Sequence, residues 1–304
     1  MAPTFDISPE KRAGFPHFLY RQLFVTPPLV TKREADLTGK TAIITGGNGG
    51  LGVETARQLL DLGCKVILAV RDVSKGDKAR QLLVSERKVA PDAIDVWKLD
   101  LSDYSSITSF AEQSKGLEHL DIVILNAGLH KMLESFAPTG FEEAVQVNYL
   151  STMLLAILFA QIIRDKKSGP EPGRIVIVSS DTAAWASFAE RSSKPLLPAF
   201  KTKMVNWDGQ ERYSTSKLLG QLFLTELAQR IPSSAVTISC ANCGLCKGSD
   251  LGRQFTGIGQ MALSLLHALV GRECHIGART FVHGATTLGQ DAHGQYLEDA
   301  KVQP

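Results

Sequence analysis

A tyrosine and a lysine lie four residues apart, as Tyr213 and Lys217, in the segment Tyr-Ser-Thr-Ser-Lys. Apolar side chains recur at helical spacing in the residues that follow, which predicts a helix whose one face carries both side chains. A phenol titrates near ~10, and a neighbouring ammonium favours the phenolate, so Lys217 is expected to lower the pKa of Tyr213. Such a phenol can give a proton to a forming alkoxide or take one back. It still needs a hydride source and a partner for the substrate oxygen.

A glycine-rich turn lies between a short apolar run, residues 40–45, and a helical pattern that ends at Gly63. A strand, a glycine-rich turn and a helix in this order place a diphosphate against the N-terminus of the helix. Glycines also allow backbone N–H groups to come close to the phosphates. The placement therefore predicts a dinucleotide site. Its expected contacts are Gly46, Asn48, Gly50, Leu51 and Gly52.

Strand and helix patterns continue to alternate along the chain. Further strands are predicted at residues 65–70, 94–99, 120–125, 174–178 and 235–239, with helices between them, including a long one over about 140–164. This alternation specifies an α/β fold with a doubly wound parallel sheet, the Rossmann fold, in a single domain over residues 38–304. Ligands of such sheets bind beyond the carboxyl ends of the strands. The polar residues at those ends should therefore gather along one crevice: Thr45, Arg71, Asp100, Asn126 and Ser180.

Two segments stand apart from this alternation. Residues 1–37 are rich in proline but carry apolar residues at helical spacing, among them Phe15 and Phe18. We predict an N-terminal arm packed on the domain, and a membrane-surface anchor is the alternative. Residues 181–211 form an insertion with many apolar side chains. We predict a lid or binding wall for a sizeable, largely apolar substrate, and a structural hairpin is the alternative.

Composition favours an ordinary globular protein, with 44% hydrophobic and 21% charged residues. A net charge of +2 provides no field that would recruit nucleic acid. Five cysteines and no signal-peptide pattern favour reduced thiols in the cytoplasm. The most apolar window, residues 149–163, is shorter than the ~20 residues that span a bilayer, so we predict a buried helix and no transmembrane segment. That helix is apolar nearly all round, so it could pair in a homodimer or lie under the arm of a monomer.

Taken together, these motifs resemble those of the short-chain dehydrogenase/reductase family. The resemblance covers roughly residues 38–297, and its ordered motifs are specific. It rests on Thr45-Gly46-x-x-x-Gly50-x-Gly52, Asn126-Ala127-Gly128, Asn148, Ser180 and Tyr213-x-x-x-Lys217. Within the family, the chain is similar to retinol-dehydrogenase-like reductases and to fungal members with a proline-bearing arm. This points weakly to secondary metabolism.

The resemblance implies a role for each matching residue. Tyr213 would be the general acid/base, and Lys217 would also hold the ribose of the nicotinamide. Ser180 would position the substrate carbonyl, and Asn148 would hold a water that links Lys217 to solvent. Further cofactor contacts are implied at Asp100, Leu101, Asn126, Ala127, Gly128, Gly244 and Leu245.

The end of the second strand bears on the choice of cofactor. NAD-dependent members of the family place an acid there, whereas this chain has Val70 followed by Arg71. A guanidinium suits a 2′-phosphate, so we predict NADP(H). The next residue, Asp72, is acidic, and we assign it to capping the following helix. Use of NAD, or of both cofactors, is the alternative.

The loop after the sixth strand departs from the family pattern. It reads Asn242-Cys-Gly244-Leu-Cys246, which keeps the glycine of the usual Pro-Gly but loses the proline, so the rigidity of the loop is in doubt. Together with Cys240, its cysteines have the spacing C-x-x-C-x-x-C. A fourth ligand is missing nearby, so we predict no metal, and a redox pair is a minor alternative.

The sequence thus predicts an NADP-dependent oxidoreductase. Hydride would pass between the nicotinamide and a ketone, aldehyde or alcohol, and a cellular NADPH pool would favour reduction. Two alternatives keep the same fold: a cofactor-binding regulator without turnover, and an isomerase or dehydratase that uses the same tyrosine.

Overall fold

The computed structural model describes residues 5–166, 169–249 and 268–304. Within these ranges, eight strands form one sheet: β1 (Thr41–Thr45), β2 (Lys65–Val70), β3 (Ile94–Lys98), β4 (Ile122–Leu125), β5 (Gly173–Val178), β6 (Val236–Asn242), β9 (Tyr296–Glu298) and β10 (Lys301–Gln303). Their order in the sheet is β10-β9-β6-β5-β4-β1-β2-β3. All neighbouring pairs are parallel except β9 and β10. A separate parallel pair joins β7 (Cys246–Lys247) to β8 (Arg272–Glu273).

Helices cover both faces of the sheet, which confirms the predicted doubly wound α/β fold. Apolar side chains of the strands point to both faces, so each face has its own core. The helices are α1 (Pro9–Ala13), α2 (Phe15–Phe24), α3 (Gly50–Asp61), α4 (Val73–Arg87), α5 (Tyr104–Lys115), α6 (Glu143–Val145), α7 (Thr152–Lys166), α8 (Gly209–Ala228) and α9 (Cys274–Ala285). Strands β9 and β10 were not predicted from the sequence.

Aspartates begin three of these helices. Asp72 accepts a hydrogen bond from the backbone N–H of Lys75 at 3.2 Å, which confirms its predicted capping role. Asp103 caps α5 and Asp208 caps α8 in the same way. Each carboxylate satisfies backbone donors that a helix leaves free at its first turn.

The long helix begins at Glu143 and ends at Lys166. It runs through α6, a π-helical segment at Gln146–Ser151, and α7. The window considered in the sequence was therefore too short, since the continuous helix is long and apolar enough to cross a membrane by length and composition. Most of that stretch is buried inside the protein, where Phe159 packs edge-on against Phe110 of α5. The helix thus has the packing of a core helix.

The two segments outside the alternation both fold into short helices. The described part of the arm forms α1 and α2, and buries Phe18, Arg21 and Gln22. The insertion forms three 3-10 helices, Asp181–Trp185, Ala189–Ser192 and Leu197–Lys201. It contains no strand and so is not a β-hairpin, while its contact with a substrate stays a prediction. Phe200 at its centre is fully buried beside Val145 and Leu219, so part of the insertion serves as structural packing.

Candidate active site

A cavity of about 640 Å³ opens at the carboxyl ends of the central strands. It brings together residues that are widely separated in the sequence, because parallel strands present these ends at one edge of the sheet. Most of the predicted site residues line it: Gly46, Asn48, Gly50, Leu51, Arg71, Asp100, Leu101, Asn126, Ala127, Gly128, Ser180, Tyr213, Lys217, Gly244 and Leu245. Gly52 and Asn148 do not line it.

Gly52 lies behind the turn, against its backbone. A Cβ atom at this position would collide with the carbonyl oxygen of Gly46. Gly46 itself has φ +67°, a conformation that favours glycine. The side chain of Asn126 donates to the Thr45 carbonyl at 2.9 Å, and the Thr45 hydroxyl accepts from the Ala127 N–H at 2.9 Å. The end of β4 thus holds the turn in place, and its close backbone packing fits a diphosphate group.

Asn148 lies in the π-helical segment, where its side chain braces the backbone. Its Oδ1 accepts from the Leu129 N–H at 2.8 Å, and its Nδ2 donates to the Leu129 carbonyl at 2.9 Å and to Ser216 Oγ at 3.0 Å. Both amide hydrogens are therefore used within the protein. The side chain could thus hold a bound water only through the remaining lone pair of Oδ1.

Tyr213, Ser180 and Lys217 meet on one side of the cavity. The Ser180 side chain lies close enough to the Tyr213 phenol to lower its pKa, and the Ser180 hydroxyl donates to Asp181 Oδ1 at 3.3 Å. The Lys217 amine lies 5.7 Å from the centre of the Tyr213 ring and donates to the Val178 carbonyl at 2.8 Å. Ser180 caps the first 3-10 helix of the insertion, accepting from the Thr182 N–H at 3.2 Å. Helix α8 and the end of β5 therefore position all three groups.

Burial determines how these groups titrate. Burial raises the pKa of Tyr213, nearby Cys243 and Asp181 raise it further, and only the Ser180 side chain opposes them. Burial also lowers the pKa of Lys217 to about 8. The expected lowering of the tyrosine pKa by Lys217 is therefore not found. Four-residue spacing predicts that the two groups are neighbours, but not that both are removed from water.

Cationic side chains lie where β2 ends. Arg71 and Lys75 both line the cavity, and Lys75 was not anticipated from the sequence. Asp72 lies between them in the chain and also lines the cavity, but its Oδ1 is engaged in capping α4. This end of the cavity is therefore suited to an anionic group.

The loop after β6 is held by the arm. The side chain of Gln22 donates to the Leu245 carbonyl at 3.0 Å and accepts from the Leu245 N–H at 3.1 Å. Gly244 has φ +73°, and its N–H donates to Asn242 Oδ1 at 3.0 Å. These contacts supply a restraint where the family proline is missing. No signal in the sequence of the loop itself points to Gln22.

The cysteines of this region are buried free thiols. Cys246 donates to the Cys243 carbonyl at 3.5 Å, and Cys240 lies on β6. Among the described residues, no group of three or more potential metal ligands comes together.

Aromatic side chains complete the cavity; those of the arm were not predicted to lie there, whereas the insertion was predicted to form a binding wall. Phe15 and Phe18 come from the arm and Trp185 comes from the insertion. His130 stacks on Tyr213, with ring centres 4.9 Å apart and planes 21° from parallel. Burial lowers the pKa of His130, opposed by Asp208 and by a hydrogen bond with the Gly209 backbone. The position of His130, two residues after Gly128, could have been noticed in the sequence.

Comparisons with known proteins agree with this architecture. The family model for short chain dehydrogenases matches residues 40–192. The short-chain dehydrogenase fogG of Aspergillus ruber is 57% identical over 310 residues, covering 100% of this chain and 89% of fogG. The short chain dehydrogenase/reductase mfmJ of Annulohypoxylon moriforme is 39% identical, and the match covers 100% of this chain and 88% of mfmJ.

Solved structures show the same fold. The NADPH-dependent 3-quinuclidinone reductase from Rhodotorula rubra matches with a TM-score of 0.66 and 19% sequence identity. The match covers 89% of this chain and 93% of the reductase chain. A short-chain type dehydrogenase/reductase from Mycobacterium marinum also has a TM-score of 0.66, with 16% identity and coverage of 88% and 97%.

Proposed function

Because the chain belongs to the short-chain dehydrogenase/reductase family, we propose that it is an NADP(H)-dependent reductase of ketones or aldehydes with Tyr213 as general acid. The observation that carries this proposal is the meeting of Ser180, Tyr213 and Lys217 in the cavity that also contains the glycine-rich turn. A proton donor, an oxygen-binding hydroxyl and a dinucleotide cradle are the parts that carbonyl reduction requires.

The chain's own residues bind and protonate the substrate in this proposal. The hydroxyls of Ser180 and Tyr213, which line the same cavity, would hold the carbonyl oxygen. NADPH, when bound, supplies the hydride. The pKa of Tyr213 lies above its usual value, so the phenol is protonated at neutral pH and can give its proton to the oxygen as negative charge develops there. Lys217 would bind the ribose on the nicotinamide side and supply positive charge near the phenol.

Two cations support NADP(H) as the cofactor. Arg71 and Lys75 line the same cavity as the glycine-rich turn, so they could hold a phosphate on the adenosine ribose if the turn holds the diphosphate. An arginine binds a phosphate through two parallel hydrogen bonds, whereas a 2′-hydroxyl calls for an acceptor. The only acid between them in the chain, Asp72, already caps α4.

The substrate is proposed to be a sizeable apolar carbonyl compound, since aromatic side chains line the cavity near Ser180 and Tyr213. We also propose a cytoplasmic enzyme, in line with its five free thiols.

We further propose that two copies of the chain pair through α7, where Ile157 is exposed. Sedimentation velocity of wild type and Ile157→Glu would test it, and an unchanged monomeric species would remove it.

Replacement of Tyr213 by phenylalanine tests the catalytic assignment. Loss of a general acid costs roughly 10²- to 10⁴-fold in kcat, and binding of NADPH should be retained. Tyr149→Phe removes the same hydroxyl at a half-buried position outside the cavity, so it should keep turnover. The measurements are NADPH consumption over a panel of ketones and aldehydes, and NADPH affinity by calorimetry. Full turnover in Tyr213→Phe would refute the assignment, and tight NADPH binding with no turnover in wild type would favour a regulator.

A further inference from the structure

The cavity has a side that the dinucleotide-binding residues leave uncovered. Besides the glycine-rich turn and the ends of β2 and β4, the lining includes Ser180 and Tyr213 and the aromatic side chains of Phe15, Phe18 and Trp185. We call these last three residues the aromatic wall. Phe15 is 53% exposed and Trp185 is 42% exposed, so both retain apolar surface that a ligand could cover. Apolar surface lining a cavity near a few polar groups is typical of a small-molecule site.

The aromatic wall is a single packed unit, although it comes from two distant segments. The rings of Phe15 and Phe18 are stacked with centres 5.8 Å apart, and Trp185 meets Phe18 edge-on at 5.9 Å. The indole N–H of Trp185 also donates to the Ala13 carbonyl at 2.7 Å. The arm and the first 3-10 helix of the insertion are therefore joined by both ring packing and a hydrogen bond.

Buried ion pairs hold the arm against the sheet. Arg21 of α2 is paired with Glu298 and also with Asp299, which it contacts at 2.8 Å. Arg272 pairs with Asp299 at 2.6 Å and donates to the Arg21 carbonyl at 2.7 Å. Glu298 is also paired with Arg12, and all four side chains are buried, so loss of one charge would weaken a cluster in a poorly hydrated site.

The same arm also restrains the loop after β6 through Gln22. Helix α2 thus carries Phe15 and Phe18 in its first half. Its second half carries Arg21 and Gln22, whose contacts fix the helix to the rest of the protein. The rings are fixed in position relative to the loop and to Ser180. A wall held in this way can discriminate between ligand shapes, since it cannot move to fit each one.

Aromatic rings also lie next to the catalytic hydroxyl, where His130 stacks on Tyr213. Flat rings gain from offset or edge-on contact with other rings, beyond the gain from buried area. A saturated ring of the same carbon skeleton is thicker and lacks this interaction. The shape and chemistry of the wall therefore favour a flat ring near the carbonyl group.

We propose that the N-terminal arm is part of the substrate site, and that its aromatic wall selects carbonyl compounds in which an aromatic ring adjoins the carbonyl. This inference rests on the proposed reductase function for the identity of the reacting group. It assigns a substrate contact to Phe15, Phe18 and Trp185, and a positioning role to Arg21 and Gln22.

A matched pair of substrates tests the inference. The pair is 2-naphthaldehyde and its saturated counterpart, decahydro-2-naphthaldehyde. Phe15→Ala should lower kcat/KM for the aromatic aldehyde by about 3- to 10-fold and change that of the saturated aldehyde by less than about twofold. The KM for NADPH should not change. Phe24→Ala is the matched control, because Phe24 lies on the same helix, is 72% exposed and does not line the cavity. It should affect neither substrate.

A binding measurement separates this inference from the reductase proposal. Calorimetry with 2-naphthol, a ring without a carbonyl, should show a Kd that rises by a similar 3- to 10-fold in Phe15→Ala and stays constant in Phe24→Ala. If this change in Kd is found but neither aldehyde is turned over, the aromatic wall is supported and only the reductase function is refuted. An unchanged Kd in Phe15→Ala, or an equal loss for both aldehydes, overturns the wall and leaves the reductase proposal standing.

Discussion

Replacement of Lys217 by methionine should stabilise the cofactor-free protein at neutral pH while abolishing its activity. Burial lowers the pKa of Lys217 from its ordinary 10.5 to about 8. Each tenfold change in proton affinity is about 1.4 kcal/mol, so the buried charge costs about 3 kcal/mol at pH 7. Methionine has a similar length and no charge. It forfeits the hydrogen bond to Val178, worth about 1 kcal/mol, so the expected net gain is about 2 kcal/mol.

The dependence on pH identifies the source of this gain. Between pH 8 and 10.5, Lys217 is largely deprotonated in the folded protein but protonated in the unfolded chain. The unfolded state then binds more protons, and stability rises with pH. Between pH 7 and pH 9.5 the free energy of unfolding of the wild type should therefore rise by about 2 kcal/mol from this group, and Lys217→Met should lack this rise.

Urea unfolding without cofactor, at pH 7 and at pH 9.5, measures both effects. Lys40→Met is the matched control, because Lys40 is a solvent-exposed lysine that pairs with Asp121 far from the cavity. Other titrating groups are shared by all three proteins and cancel in the comparison. The reasoning is refuted if Lys217→Met gains as much stability as wild type between the two pH values, or if it is less stable at pH 7.

Three further substitutions test other parts of the site. Arg71→Ala should raise the KM for NADPH at least tenfold more than that for NADH, because it removes a partner of the 2′-phosphate; equal effects on the two KM values would contradict NADP preference. Gly52→Ala should abolish dinucleotide binding in calorimetry, since its Cβ would collide with the turn, whereas Gly289→Ala meets no atom within 4 Å and should bind normally. Arg21→Met removes one cation from a buried cluster in which Glu298 keeps Arg12 and Asp299 keeps Arg272, and should cost about 2 kcal/mol in urea unfolding, against less than about 1 for Lys40→Met. Equal costs for these last two would show that the arm adds no stability.

The dinucleotide half of the site could be anticipated because its residues occupy defined positions relative to strands. Thr45, Asp100 and Asn126 follow apolar runs that can be recognised locally, and a parallel sheet brings such positions together. The cap at Asp72 is equally local, since it depends on the three residues that follow. Short-range patterns therefore predicted both the fold and this part of the cavity.

The part of the cavity proposed to bind the substrate depends on contacts that no local pattern encodes. Phe15 has the spacing of a helix residue, but its place beside Trp185 depends on where the arm docks. The insertion has many apolar side chains, yet Phe200 points into a structural core and Trp185 into the cavity. The titration of Tyr213 was predicted in the wrong direction, since spacing shows a neighbouring charge but not the extent of burial.

The docking of Arg21 on Asp299 joins residues 278 positions apart. During synthesis the chain leaves the ribosome in order, and segments fold as their partners become available. The turn at Gly46 can pack on β2 and β4 before Asp299 has been translated. Helix α2, in contrast, must wait for β9 and Asp299. The nucleotide-binding turn is therefore expected to form before the arm docks and completes the aromatic wall.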